Sequence, residues 1–105
     1  MARNEPQMTT QTLKVLLILI GSDSGELSGA AIGRLGKIQS GTLYPILMRL
    51  EQCGWLESRW ETEEPQTLGR PRRRFYRVTG IGQTRARAGR AELQAVLGGD
   101  HAWAY

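Results

Sequence analysis

The clearest hydrophobic pattern in the chain lies between Ser40 and Gly54. Apolar residues recur here at spacings of three and four, which places them on one face of a helix. Proline is tolerated in or near the first turn, so Pro45 indicates that the helix begins no earlier than about Ser40. Ser40 or Thr42 can cap its first amides, and Gly54 supplies the left-handed residue that ends it. The predicted apolar face consists of Leu43, Ile46, Leu47, Leu50 and Cys53.

Two alternating segments follow this helix and predict a β-hairpin. Residues 55–60 and 72–78 alternate like strands, and the prolines and glycine between them keep residues 61–74 out of the ladder. A capped helix that leads into a hairpin with a basic tip is the arrangement of a winged helix-turn-helix, with this helix as its recognition helix and the hairpin as its wing. We expect one face to pack on the helices and the other to be partly exposed or to contact the last helix. The inward set is Leu56, Trp60, Tyr76 and Val78, and the outward set is Trp55 and Phe75.

Three further helices complete the predicted order α-α-α-β-β-α. The first is capped by Thr9 or Thr10 and runs to about residue 21, and the last follows Thr79 and runs to about residue 97. A short second helix after Ser28 presents Ile32 and Leu35 to the interior. The predicted fold is therefore mainly α with a two-stranded β-wing.

The middle of the first helix, residues 15–20, is apolar on every side. A surface helix needs only one apolar stripe, so this helix must be covered from two directions. The preferred second cover is another subunit, and a fully wrapped core helix is the alternative. The last helix carries a thin apolar stripe that could pair with the first across a two-fold axis. The predicted dimer-interface residues are Leu16, Leu19, Ile20, Leu93, Val96 and Leu97.

Length and charge set the class of protein. A chain of 105 residues suits one domain, which we divide into a flexible arm (1–8), a winged helix core (9–79), a dimerisation helix (80–97) and a tail (98–105). The net charge of +4 favours an anionic partner. Eight of the fourteen basic residues lie between Arg70 and Arg90, a concentration typical of a DNA-binding surface, although a solvated charged face fits the composition equally well. Arg70 precedes a proline, which holds it extended and should project its guanidinium from the sheet.

The residues needed for catalysis or metal binding are scarce. His101 is the only histidine, and nothing pairs it with Cys53 to form a nucleophile and base. One cysteine and one histidine cannot supply the four ligands of a zinc site. We therefore expect no enzyme activity, no metal and no cofactor. A single cysteine, no signal peptide and no apolar run long enough for a bilayer indicate a cytoplasmic protein without membrane contact.

Six short runs of residues occur in a fixed order and spacing across the helix and the hairpin. They are Ser40-Gly41-Thr42-Leu43-Tyr44-Pro45, Arg49-Leu50-Glu51, Gly54-Trp55-Leu56, Trp60-Glu61, Gly69-Arg70-Pro71-Arg72-Arg73 and Val78-Thr79. Through these runs the chain resembles the PadR-like family of transcriptional regulators over roughly residues 13–97. The start of the second helix departs from the family pattern, because Leu27-Ser28-Gly29-Ala30 lacks the usual aromatic residue.

This resemblance implies a homodimeric repressor that joins through its first and last helices and binds a palindromic operator in double-stranded DNA. It also implies release by a small aromatic effector, although the last helix lacks the tryptophan that some members use for stacking. The helix should read bases, while the turn before it and the wing mainly grip the backbone. The predicted DNA-binding residues are Lys37, Ser40, Gly41, Thr42, Tyr44, Arg49, Arg70, Arg72, Arg73 and Arg74.

Two other classes of function remain open on the sequence. Winged helices also serve as protein–protein interaction modules that bind no DNA, because fold alone does not fix function. A ligand-binding dimer acting as a carrier or sensor is the third reading, and it lacks a visible polar anchor in the apolar helices. The basic wing favours the DNA-binding regulator.

Overall fold

The structure is a computed structural model that describes residues 6–98. Residues 1–5 of the predicted arm, and residues 99–105 of the predicted tail with His101, lie outside the described residues. Within the described range, the elements in chain order are α1 (Thr10–Ile20), β1 (Leu27–Ser28), α2 (Gly29–Gly36), α3 (Ser40–Gln52), β2 (Leu56–Trp60), α4 (Pro65–Leu68), β3 (Arg74–Val78) and α5 (Gly80–Leu97).

Side-chain caps begin three of the helices. The hydroxyls of Thr9, Ser28 and Thr79 each accept a hydrogen bond of 3.1 Å from the backbone N–H three residues later, which satisfies an otherwise unpaired amide. The start of α3 differs from the prediction. Its cap residue is Gln39, without a side-chain bond, and Ser40 is already the first helical residue. Gly54 follows α3 with a φ of 80°, the predicted left-handed stop.

The sheet has three antiparallel strands in the order β1-β3-β2. The two predicted wing strands pair from Leu56 opposite Val78 to Trp60 opposite Arg74. The third strand, β1, was not predicted, because its two residues become a strand only by pairing with Tyr76 and Phe75 of β3. The architecture is the predicted mainly helical winged helix, with this small addition to its sheet.

The first helix lies at the centre of the core. Leu16 and Leu19 are 0% and 1% exposed, because α2, β3 and α5 all pack on α1. They are therefore core residues, and their prediction as interface residues is wrong: the chain's own elements cover them. Leu35 is also misassigned. It is exposed, and Gly36 instead packs against Ile18, where an added Cβ would stand 3.0 Å from its Cδ1 atom.

The wing is buried at its base and exposed at its tip. Trp60 does lie on the helix side of the sheet, but it is 56% exposed because it borders an open cleft between the helices and the wing. Trp55, predicted to be partly exposed or to contact the last helix, is 3% exposed. The contact with the last helix is the alternative found, since the start of α5 closes over Trp55 through the Thr79 N–H to Trp55 carbonyl bond of 3.0 Å. Among residues 6–98, no helix has the length and apolar character needed to cross a bilayer.

Candidate nucleic-acid interface

The recognition helix α3 separates its two faces cleanly. Its inward side chains are buried in the core, as the periodicity predicted for Leu43, Ile46, Leu47 and Leu50. The opposite face is exposed, and Met48 adds an exposed apolar side chain to it. The structure brings five predicted helix residues to this exposed face: Ser40, Gly41, Thr42, Tyr44 and Arg49.

The turn before α3 fixes the angle between α2 and α3. Lys37 adopts a left-handed conformation with a φ of 54°, and the Ile38 N–H donates to the Gly33 carbonyl at 2.9 Å. The ammonium of Lys14 donates to the Gly36 carbonyl at 2.9 Å, which ties the turn to α1. Lys37 itself is exposed beside the start of the recognition helix, where its charge is available to a phosphate.

A hydrogen-bonded bridge connects the end of α3 to the wing. The carboxylate of Glu51 accepts the Ser58 hydroxyl at 2.6 Å and an Arg74 N–H at 3.2 Å, and Arg74 Nε donates to Ser58 Oγ at 2.9 Å. Glu51 therefore sets the position of the wing relative to the helix. It is missing from the predicted site, although its place in the Arg49-Leu50-Glu51 run was a usable signal.

The wing tip is held together by its own ion pairs. The Arg70 guanidinium donates to both carboxylate oxygens of Glu61, at 2.6 and 2.9 Å, so it does not project from the sheet as expected. The carboxylate also accepts the Arg73 N–H at 2.8 Å. Arg72 pairs with Glu64 at 3.3 Å and donates to the Glu63 carbonyl. Two of the four predicted wing arginines are thus engaged in shaping the loop.

The Glu61 carboxylate should titrate far below an ordinary glutamate. The Arg70 guanidinium beside it lowers its pKa from 4.5 to about 2. Because the folded pKa is depressed, the stabilisation of the loop is complete above pH 4.5 and is lost as the pH falls through about 2. We expect a carboxyl NMR titration to place Glu61 near the lower value, and the Arg70→Gln variant to return it towards 4.5. A Glu61 titration near 4.5 in the unmodified protein would contradict the ion pair.

The sheet presents faces of different charge balance. Its outer face carries matched pairs, Arg59 with Glu26 at 2.6 Å and Arg77 with Glu57 at 2.7 Å. The Arg59 guanidinium lowers the pKa of Glu26 through their hydrogen bond, which keeps that pair ionised. Arg73, which lines the cleft beside Tyr44 of α3, has no acidic partner within 4.0 Å among the described residues. An anion would therefore be attracted to the helix side of the wing.

The predicted residues do not all meet in one place. Tyr44 of α3 lines a cleft together with Arg72, Arg73 and Arg74 of the wing. Arg70 lies around the wing tip, in a shallow groove with Pro65 and Pro71. Across residues 6–98, no three His, Cys, Asp or Glu side chains gather as a metal site would require.

The chain is similar to known transcriptional regulators in sequence and in fold. A family model described as the PadR-like family of transcriptional regulators matches residues 28–94. No curated protein matches the chain significantly. Among solved structures, reduced AbfR bound to DNA is 27% identical, with a TM-score of 0.67 over 89% of this chain and 62% of that one. The chain spans about three fifths of AbfR, 59% of its disulfide form and 62% of its overoxidised form.

Two further structures match over most of their own length. A PadR family transcription regulator from Clostridium difficile R20291 is 20% identical, with a TM-score of 0.69 over 84% of this chain and 91% of that one. The protein smu.1704 from Streptococcus mutans UA159 is 26% identical, with a TM-score of 0.64 over 87% of this chain and 84% of that one. The Clostridium difficile protein shares the fold of this chain, and AbfR and smu.1704 have the same overall architecture.

Proposed function

The chain belongs to the PadR-like family of transcriptional regulators, and from this premise we propose that it is a cytoplasmic homodimeric repressor that binds a palindromic operator in double-stranded DNA. Residues 9–79 form the DNA-binding unit in this proposal, and residues 80–97 form the dimerisation helix. The DNA-bound state of the similar AbfR protein supports the DNA partner.

The observation that carries the proposal is the exposed face of α3 beside a wing with unbalanced positive charge. Three buried leucines and one buried isoleucine anchor α3 in the core, while the start of the helix offers a glycine, two hydroxyls and a tyrosine. The first turns of a recognition helix lie in the major groove in helix-turn-helix complexes. Lys37 and Arg73 flank this face and would pair with phosphates, which position the protein without reading sequence.

A salt-dependent gel-shift series tests the function. Duplexes from the upstream region of the chain's own gene and a random-sequence duplex are titrated with the protein at several salt concentrations. We expect tight binding upstream, weak binding to random DNA and a steep loss with salt, because phosphate contacts release counterions. If neither duplex binds even at low salt, the regulator is not a DNA binder, and an interaction module becomes the better reading.

Dimerisation is supported by apolar residues that the protomer leaves exposed. On α5, Leu93, Val96 and Leu97 lie three and four residues apart and remain exposed, as does Ile20 on α1. Leu93 borders a cavity of about 350 Å³ against Leu17 and Ile18 of α1. A patch of this kind on a small protein is typical of a subunit interface. With two subunits joined here, two recognition helices could enter successive major grooves about 34 Å apart.

The Val96→Glu variant should weaken self-association at least about tenfold, or roughly 1.4 kcal/mol. The reason is that burying an unpaired carboxylate at an apolar interface carries a large desolvation cost. Val96 is 60% exposed in the protomer, so folding should be unaffected. The matched control is Ala95→Glu, which adds the same charge at an exposed position on the opposite side of α5. Light scattering after size exclusion measures both. Equal masses for the two variants would argue against this interface.

The same cavity between α1 and α5 is where we propose that a small aromatic effector binds. The cavity is lined by Leu13, Leu17, Ile18 and Leu93 together with Thr10 and Lys14. Walls that are mainly apolar with few polar groups suit a flat aromatic ring. An effector held between the dimerisation elements would alter the spacing of the two recognition helices, and repression would be relieved through the lost fit to the operator.

A further inference from the structure

A cleft of about 370 Å³ separates the recognition helix from the wing. Its aromatic walls are Tyr44 and Trp60, its basic wall is Arg72, Arg73 and Arg74, and its floor is Gly29 at the start of α2. We refer to it as the helix–wing cleft. Its walls come from both elements that the proposed function assigns to DNA.

Trp60 is held in this cleft at a fixed position. Its cross-strand partner Arg74 stacks its guanidinium over the indole ring, 5.5 Å from the centroid. Arg74 is in turn bound to Ser58 and Glu51, so the ring is supported from the wing and, through Glu51, from α3. More than half of this large apolar side chain nevertheless remains exposed. A rigid, exposed tryptophan is a typical binding residue at interfaces, because little entropy is lost when a partner covers it.

The floor of the cleft depends on a glycine. A Cβ at residue 29 would stand 2.6 Å from the Tyr44 hydroxyl and 2.9 Å from its Cε1 atom. Glycine therefore lets the Tyr44 ring lie down over the start of α2, with its hydroxyl inside the cleft region. Tyr44 thus belongs both to the exposed face of α3 and to the wall opposite the wing, so the cleft is continuous with the predicted base-reading surface.

The charge of the cleft selects an anionic occupant. Arg72 and Arg74 are matched by Glu64 and Glu51 at 3.3 and 3.2 Å, whereas the Arg73 guanidinium has no acidic partner within 4.0 Å in the described part of the chain. A guanidinium without a salt bridge among the described residues, a hydroxyl and an exposed aromatic plane fit a chain of alternating phosphates and sugars. An isolated phosphate would use only the first two of these groups.

We propose that the helix–wing cleft holds one stretch of DNA sugar–phosphate backbone, with Arg73 on a phosphate and the Trp60 indole against the adjoining sugar. This inference rests on the proposed function. The strand would cross the cleft where it passes from the major groove at α3 to the minor groove at the wing. Trp60 then acts as a DNA-contacting residue in addition to those predicted from the sequence.

Acrylamide quenching of tryptophan fluorescence tests the contact directly. The experiment uses the full chain with Trp103→Phe, so that emission comes from buried Trp55 and exposed Trp60. We expect the upstream duplex that shifts in the gel to reduce the quenching of Trp60 severalfold. The Trp60→Phe, Trp103→Phe double variant reports Trp55 alone and should show no change. If the duplex still shifts while Trp60 stays equally open to acrylamide, the cleft inference fails and the DNA-binding function stands.

The affinity of the protein for DNA provides a second test of the contact. The Trp60→Ala variant should bind the duplex about tenfold more weakly, the scale of a lost aromatic contact with nucleic acid, and Trp60→Phe should restore most of the affinity. The control Ile81→Ala removes a comparably exposed apolar side chain from α5 and should bind normally. Protection of Trp60 by phosphate or benzoate, but not by bound DNA, would make this a small-anion site and overturn the inference. Failure of every duplex to bind would overturn both proposals.

Discussion

The Gly41→Leu variant is expected to fold as the unmodified protein does and to bind the upstream duplex at least about 100-fold more weakly, a loss of roughly 2.7 kcal/mol. Residue 41 lies exposed in the first turn of α3, and nothing stands within 4 Å of the position that a Cβ would take. A side chain there therefore begins in open space. Leucine is also a better helix former than glycine, by up to about 1 kcal/mol.

The expected loss arises entirely at the DNA. In the proposed complex the first turn of α3 lies against base edges and phosphates, so a leucine at residue 41 would hold the helix away from the groove. Several contacts, each worth about 1–3 kcal/mol for base-reading groups, would weaken together. Protein stability and DNA affinity should therefore change in opposite directions, which is uncommon for a buried or structural residue.

Gel shift and thermal unfolding on the same preparations measure the two effects. Gly80→Leu is the matched control, because residue 80 is also an exposed helical glycine with nothing within 4 Å of its Cβ position. It begins α5 rather than α3 and should leave DNA binding unchanged. Unaltered binding by Gly41→Leu would mean that the start of α3 does not approach the duplex.

The Gly82→Ala variant is expected to lose about 3 kcal/mol of unfolding free energy, at the upper end of typical overpacking costs. Residue 82 is buried, and an added methyl group would overlap the carbonyl oxygen of Trp55 and stand 2.7 Å from Val78 Cγ1. The backbone at Trp55 cannot move aside freely. Its carbonyl already accepts both the N–H and the hydroxyl of Thr79, at 3.0 and 3.1 Å.

The effect of this methyl group would spread beyond one contact. To relieve the overlap, α5 must move away from Trp55, which breaks the bonds of Thr79 and uncovers the base of the wing. Small domains are stable by only about 5–15 kcal/mol, so a loss of this size is a large share of the total. The start of α5 thus closes the core as well as beginning the proposed dimerisation helix.

Urea unfolding of Gly82→Ala and Gly80→Ala separates this clash from helix propensity. Both changes replace glycine by alanine in the first turn of α5, but residue 80 has open space around its Cβ position. The control should be unchanged or more stable by up to about 1 kcal/mol. If the two variants unfold at similar urea concentrations, the close approach of α5 to Trp55 is not maintained in solution.

The candidate site shows where sequence reasoning reached its limit. Periodicity predicted that Tyr44 lies opposite the apolar face of α3 and Arg49 at the border, and both are exposed, because a helix face follows from residue spacing alone. The same reasoning expected Arg70 to project from the wing. Its guanidinium instead pairs with Glu61, nine residues away, because the loop that contains α4 folds back on itself. Spacing along a loop does not reveal which charges meet.

The tryptophans show the same limit within the sheet. Alternation correctly grouped Leu56 with Trp60 on the helix side, but it could not tell how closely the helices cover each of these two side chains. Trp60 borders the open helix–wing cleft and is exposed, whereas Trp55 lies under the start of α5 and is buried. Leu16 and Leu19 show the same limit. They were predicted to lie at the subunit interface, but other elements of the same protomer bury them.

The sequence by itself determined the elements of this protein: the capped helix starts at Thr9, Ser28 and Thr79, the end of α3 at Gly54 and the apolar face of α3. These depend on residues within one or two turns of each other, so local chemistry is sufficient. Only the tertiary structure decided which side chains are covered and which charges are matched. It made β1 from two residues by pairing them with β3, linked Glu51 to Arg74 across 23 positions, and brought Tyr44, Trp60 and Arg73 to one cleft. Such contacts join segments far apart in the chain, so a local sequence pattern cannot predict them.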